Sequence, residues 1–124
     1  MIYHNGLELI MCCITMKSHK RNWGIILAAG FGTRMRPMTD EVPKPLIRVG
    51  DHTLLDYAIR NMIDVGVNNI VVNGHYKWEQ IRDHISQNWD IDGVTVHFIF
   101  EPEILETGGS IMNIMHKFDI DEAV

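Results

Sequence analysis

A chain of 124 residues, 46% hydrophobic and 22% charged, can bury one core but is short for two domains, and its composition excludes a repetitive or linker-dominated chain. The net charge of −5 argues against a nonspecific grip on nucleic acid, so the work of its 11 Lys and Arg must be local. Cys12 and Cys13 are adjacent and have no third cysteine to pair with, which fits a reducing cytoplasm, and the seven histidines show no zinc-site spacing.

Residues 1–22 read as an N-terminal extension, and residues 23–124 as the functional unit. Leu7 to Ile14 is apolar but too short to span a bilayer, and no basic stretch precedes it, so neither an anchor nor a signal peptide is expected. Met16 would serve as an alternative start, and a docking arm is the functional alternative for this stretch. Ile25-Ile26-Leu27-Ala28-Ala29 is apolar without alternation and ends at Gly30, which predicts a buried parallel strand. Gly30-Phe31-Gly32-Thr33-Arg34 then stands at its carboxyl end, where open α/β sheets bind ligands and glycines let backbone N–H groups approach an anion. That anion is expected to be a phosphate. A Walker A loop would need Gly-Lys-Ser/Thr, and a dinucleotide fingerprint a third glycine; neither is present. Lys44 follows, with its backbone fixed on both sides by Pro43 and Pro45.

Leu46 to Val49 reads as a short extended piece turned by Gly50-Asp51. Thr53 is the expected N-cap of a helix whose apolar positions are Leu54, Leu55, Ala58, Ile59, Met62 and Ile63, ended by Gly66; Asp56 in its first turn suits the helix dipole. Asn69–Asn73 is a second strand, and a right-handed crossover brings Asn73, His75 and Tyr76 to the edge of the glycine loop, where Asn73 would bond a loop backbone or a ligand. Trp78, Ile81, Ile85 and Trp89 form one apolar helix stripe, read as core. Val94–Phe100 is a third strand, ending in Glu101-Pro102, and Glu106-Thr107-Gly108-Gly109 opens a helix carrying Ile111, Ile114, Met115 and Phe118. The order predicts an α/β, Rossmann-like three-layer fold with a parallel central sheet.

Leu27-Ala28-Ala29-Gly30-x-Gly32-Thr33-Arg34-Met35-x-Pro37-x-Thr39, followed by Pro43-Lys44-Pro45-Leu46, resembles the signature of sugar-1-phosphate nucleotidyltransferases. The resemblance continues through Leu54–Tyr57, Val72–Tyr76 and Glu106–Gly109, covers residues 23–118, and is closest to the branch of N-acetylmuramate-1-phosphate uridylyltransferase and mannose-1-phosphate guanylyltransferase. It implies a glycosyltransferase-A-like fold, incomplete in this chain at the C-terminus. The implied activity is a cytoplasmic step of nucleotide-sugar biosynthesis: a nucleotidyl group passes from UTP or GTP to a sugar 1-phosphate, releasing pyrophosphate, with no nucleic acid or membrane partner.

The resemblance assigns catalytic charge to Arg34 and Lys44, the lysine bridging the reacting phosphates. It assigns nucleotide contacts to Leu27, Ala28, Ala29, Gly30, Gly32, Thr33, Asn73, Glu106, Thr107, Gly108 and Gly109, the last four beside the base. It also implies Mg2+, held by aspartates without a counterpart in this chain, since Asp40, Glu41 and Glu101 are not at those positions. The expectation is therefore the N-terminal half of a catalytic domain, inactive alone, whose first strand keeps one open edge. The alternatives are a non-catalytic nucleotide-binding or regulatory fragment, a CTP-dependent cytidylyltransferase for an alcohol phosphate, and a dinucleotide-binding domain, which the missing third glycine disfavours.

Overall fold

The computed structural model describes residues 2–3, 12–17, 22–30, 34, 36–104 and 107–118. In chain order these hold β1 (Ile2–Tyr3), β2 (Cys12–Lys17), β3 (Asn22–Leu27), β4 (Arg48–Val49), β5 (His52–Thr53), α1 (Leu54–Asp64), β6 (Asn69–Gly74), α2 (Trp78–Asn88), β7 (Thr95–Phe100) and α3 (Thr107–Lys117). One sheet has the order β1-β2-β3-β6-β7, and β4 pairs with β5 in a small separate hairpin.

The parallel core is β3, β6 and β7. Trp23 pairs with Asn69 and Ile26 with Val72, while Asn69 pairs with Thr95 and Gly74 with Phe100, so the three carboxyl ends lie along one edge. Neighbouring residues of a strand point to opposite faces, and both faces of this sheet are covered. Ile26, Val72 and Ile70 pack with Leu55, Ile59 and Met62 of α1 and Ile81 of α2. Ile25, Val71 and Ile99 pack on the other face with Ile114 of α3. The three layers and the parallel core are as the sequence predicts. Among the described residues no helix is long and apolar enough to cross a membrane.

The helix punctuation is also as predicted. Thr53 caps α1, accepting the Asp56 N–H while the Asp56 carboxylate accepts the Thr53 N–H, a reciprocal capping box. Gly66, at φ +92°, turns the chain out of the helix where a side chain would be strained.

Three expectations are corrected. The first strand spans Asn22–Leu27 instead of Ile25–Ala29, because the Ala28 N–H leaves the ladder for the Asn73 side chain. The extended piece begins at Ile47 instead of Leu46, because Leu46 closes a 3-10 turn, Lys44–Leu46, that precedes the β4–β5 hairpin. The edge of the first strand is not open. β2, from the segment read as an extension, pairs antiparallel along all of β3, from Cys12 opposite Leu27 to Lys17 opposite Asn22.

Candidate nucleotide-binding site

Where β3, β6 and β7 end, four segments meet: the loop after Leu27, the turn after Gly74, Glu101, and the first turn of α3. Leu27 is half-buried against the α3 layer, and Ala28 and Ala29 are buried. Asn73, only 1% exposed, accepts the Ala28 N–H through Oδ1. Of the two roles open to it in the sequence, this bond is the one to the loop backbone, so Asn73 helps to position the loop. Gly30 then emerges into solvent. A Cβ there would meet nothing within 4 Å, and its φ lies outside the left-handed region. The fold itself therefore does not require glycine at this position. The same holds for exposed Gly108 in α3, where small residues leave room for something outside the chain. Gly109 is exposed beside it. Thr107 opens α3, while Gly32, Thr33 and Glu106 lie outside the described residues.

Arg34 is exposed and Lys44 half-buried, with buried Pro43 and Pro45 on either side of the lysine. Burial lowers the Lys44 pKa from its ordinary value, and the nearby positive charge of Arg34 lowers it further. The two cations thus sit within each other's field, although the chain has no carboxylate bridging them among the described ion pairs. Two close positive charges without a described carboxylate between them are suited to an anion with several charged oxygens. Arg36 and Arg48 are exposed, as expected, Arg36 facing Asp40 at 3.5 Å and Arg48 donating to the Asp51 carbonyl.

The segment between the two cations is held from the turn after β6 and from α2. The Tyr76 hydroxyl donates to the Thr39 carbonyl at 2.8 Å, and the Gln80 amide to the Glu41 carbonyl at 3.1 Å. Gln80 and Glu101 are supporting residues to which the sequence alone assigns no role. Glu101 is 1% exposed; its N–H donates to the Gly74 carbonyl, its own carbonyl meets His75 Nδ1 at 2.8 Å, and Oε2 accepts the Ser110 hydroxyl. It ties α3 to the end of β6, and its Oε1 has no hydrogen-bond partner among the described residues. A carboxylate directly after an apolar strand and before a proline is the only signal of it in the sequence.

Among the described residues no group of three His, Cys, Asp or Glu is placed to hold a metal ion. A hollow of about 710 Å³ lies at the opposite sheet edge, between Asn69, Trp89 and Thr95, away from every residue above. Ligands of parallel sheets bind at the carboxyl edge, and the polar groups and cations converge there, so the shallower site is preferred.

Similarity to known proteins points the same way. A family model described as "Nucleotidyl transferase" matches residues 23–123. The chain is 33% identical to a mannose-1-phosphate guanyltransferase of Gibberella zeae over 71% of this chain and 24% of the relative. It is 34% identical to an N-acetylmuramate alpha-1-phosphate uridylyltransferase of Caulobacter vibrioides over 73% of this chain and 38% of that protein. The structure of HddC from Yersinia pseudotuberculosis complexed with GMP-PN superimposes with a TM-score of 0.65 at 33% identity, over 76% of this chain and 41% of that one. The chain thus spans about a quarter to two fifths of the length of these relatives. With a family model matching residues 23–123, the chain belongs to the nucleotidyl transferase family.

Proposed function

We propose that this chain is the nucleoside-triphosphate-binding part of a sugar-1-phosphate nucleotidyltransferase that uses GTP or UTP. The observation that carries the reading is the closeness of two like charges, Arg34 and Lys44, in the segment that follows Gly30, a glycine the fold does not need. Relatives named for guanylyl and for uridylyl transfer are about equally similar, which supports both donors and favours neither.

In the proposed reaction an oxygen of the sugar phosphate attacks the α-phosphorus of the triphosphate. A new P–O bond forms, the bond to the β-phosphate oxygen breaks, and pyrophosphate leaves with that electron pair. Such transfer depends on positioning and charge neutralisation. The loop from Ala28, fixed by Asn73, presents backbone at Gly30 to the phosphates. Arg34 forks across the oxygens of the leaving group, and Lys44 places a compact charge between the reacting phosphates. The first turn of α3, with Gly108 and Gly109, takes the nucleobase. Magnesium, when bound, neutralises charge on the same phosphates, and among the described residues no group of three His, Cys, Asp or Glu stands together to hold it.

Thermal melting of the chain with UTP, GTP, CTP or ATP tests this reading. A triphosphate at a hundred times its Kd stabilises the fold by about 2.7 kcal/mol, so GTP or UTP is expected to raise Tm selectively. Lys44→Ala and Arg34→Ala should abolish the rise while leaving the unliganded Tm nearly unchanged, since each removes one of two repelling charges. Equal melts with and without every triphosphate would refute the site.

A further inference from the structure

We infer that Tyr76 and Gln80 are positioning residues of the nucleotide site, which set the spacing of Arg34 and Lys44 by holding the carbonyls of Thr39 and Glu41 between them. The inference deepens the proposed function and rests on it for the effect on a ligand, while the spacing itself can be read without one.

Two positive charges in one segment repel each other, so their closeness has to be imposed by the chain. The residues between them have little regular structure with which to impose it. Met38–Asp40 and Lys44–Leu46 are single 3-10 turns, the first without a side-chain cap, and no residue from 36 to 47 belongs to a strand. At the lysine end, Pro43 and Pro45 are buried and Val42 packs partly buried against the main core. Nearer the arginine the anchors are main-chain carbonyls. The Tyr76 hydroxyl donates to Thr39, a residue only 1% exposed, and the Gln80 amide donates to Glu41.

Both donors stand on a firm support. Tyr76 lies just before α2 and Gln80 in its first turn, where the Gln80 N–H also donates to the Lys77 carbonyl at 3.1 Å. The helix is seated on the sheet through buried Ile81 and Ile85 and through Trp78, whose ring lies 4.8 Å from that of Phe100. Lys77, between the two donors, has left-handed backbone at φ 50° and ψ 41°, which a residue with a side chain rarely adopts, and its ammonium lies 5.4 Å from the centre of the Tyr76 ring. The chain thus turns sharply between two side chains that reach the same segment. Burial and then the charge of Arg34 hold the Lys44 pKa below its ordinary value, in keeping with that closeness.

The test follows the Lys44 pKa by NMR of isotope-labelled lysine in the full chain, together with Tm alone and with GTP or UTP. Tyr76→Phe and Gln80→Met remove the donors and keep the size of each side chain. Both should raise the Lys44 pKa towards its ordinary value, as Arg34→Gln should, and should raise it less when Arg34→Gln is already present. Loosened packing alone would act equally in both backgrounds. The double variant should bind the triphosphate about 10-fold more weakly. An unchanged Lys44 pKa in both variants would overturn the inference whatever the ligand does, and so would a shifted pKa with wild-type triphosphate affinity. If no triphosphate raises the wild-type Tm, the proposed function fails, and the Lys44 readout still decides whether Tyr76 and Gln80 set the spacing. Should Tyr76→Phe not fold, Gln80→Met decides alone, since its hydrogen bond is exposed.

Discussion

Gly30 and Gly74 stand at the ends of adjacent parallel strands, yet they answer to different constraints. A Cβ on Gly74 would lie 2.7 Å from the Phe98 ring and 3.4 Å from Trp78 Cβ, so the glycine there makes room for the aromatic packing of α2 on β7. A Cβ on Gly30 would meet nothing. Gly74→Ala should therefore destabilise the fold by about 1–3 kcal/mol, as overpacking does. Gly30→Ala should change unfolding in urea by less than about 0.5 kcal/mol but weaken triphosphate binding in the same samples. A stability loss at Gly30 as large as that at Gly74 would remove the argument that its openness serves a ligand. The sequence cannot separate the two, because it shows the glycines but not what lies opposite each. For the same reason it leaves Asn73 with two roles, which only the Ala28 N–H against its side chain resolves, and it leaves Glu101 without one.

At the scale of elements, α1 and α2 are joined through one carboxylate. Asp56 Oδ1 accepts from His84 at 2.7 Å and from the Trp89 indole at 2.8 Å, while Oδ2 accepts the Thr53 N–H at 2.9 Å. Burial alone would raise its pKa, but the hydrogen bonds from His84, Thr53 and Trp89 prevail and hold it at about 2. A carboxyl whose folded pKa lies below its unfolded value contributes stability above the unfolded value. That stability is lost as the pH falls through the folded pKa, which for Asp56 means between roughly pH 5 and pH 2. Allowing for solvent screening, the contribution is about 1–2 kcal/mol. Urea unfolding of the wild type should accordingly weaken by that amount across this window, and Asp56→Asn should be less stable at pH 7 with the Asp56 part of the pH dependence gone. An Asp56→Asn profile parallel to wild type would show that the carboxylate is not the group responsible. The Thr53 cap was legible because capping is local. The partners of Asp56 were not: they lie 28 and 33 residues away, and Trp89 sits on a stripe that reads only as core. The pairing of β2 escaped for a related reason, since apolar character identifies a buried segment without saying which edge it buries.

Over the whole molecule, the strand-helix-strand order and the right-handed rule made the parallel core readable, but the unequal depth of its two faces was not. Among the described residues, thirteen buried residues form the cluster on the α1 and α2 side and five the cluster that holds α3, of which only Ile114 comes from the helix. Apart from this packing, α3 is tied at its start by Ser110 to Glu101. A helix with one fully buried apolar residue, beside which Ile111 and Met115 pack only partly buried, opens at lower free energy than one in the main core. In the free chain, α3 amides should therefore exchange at least ~10-fold faster than those of α1. The first turn of α3 carries Gly108 and Gly109, which the proposed function sets beside the nucleobase, so a bound triphosphate would add its own contacts to the less stable layer. Hydrogen exchange with saturating GTP or UTP should then slow α3 by a larger factor than α1. If the ligand raises Tm but slows both helices equally, the nucleotide does not reach α3, and the base must be read by another part of the molecule.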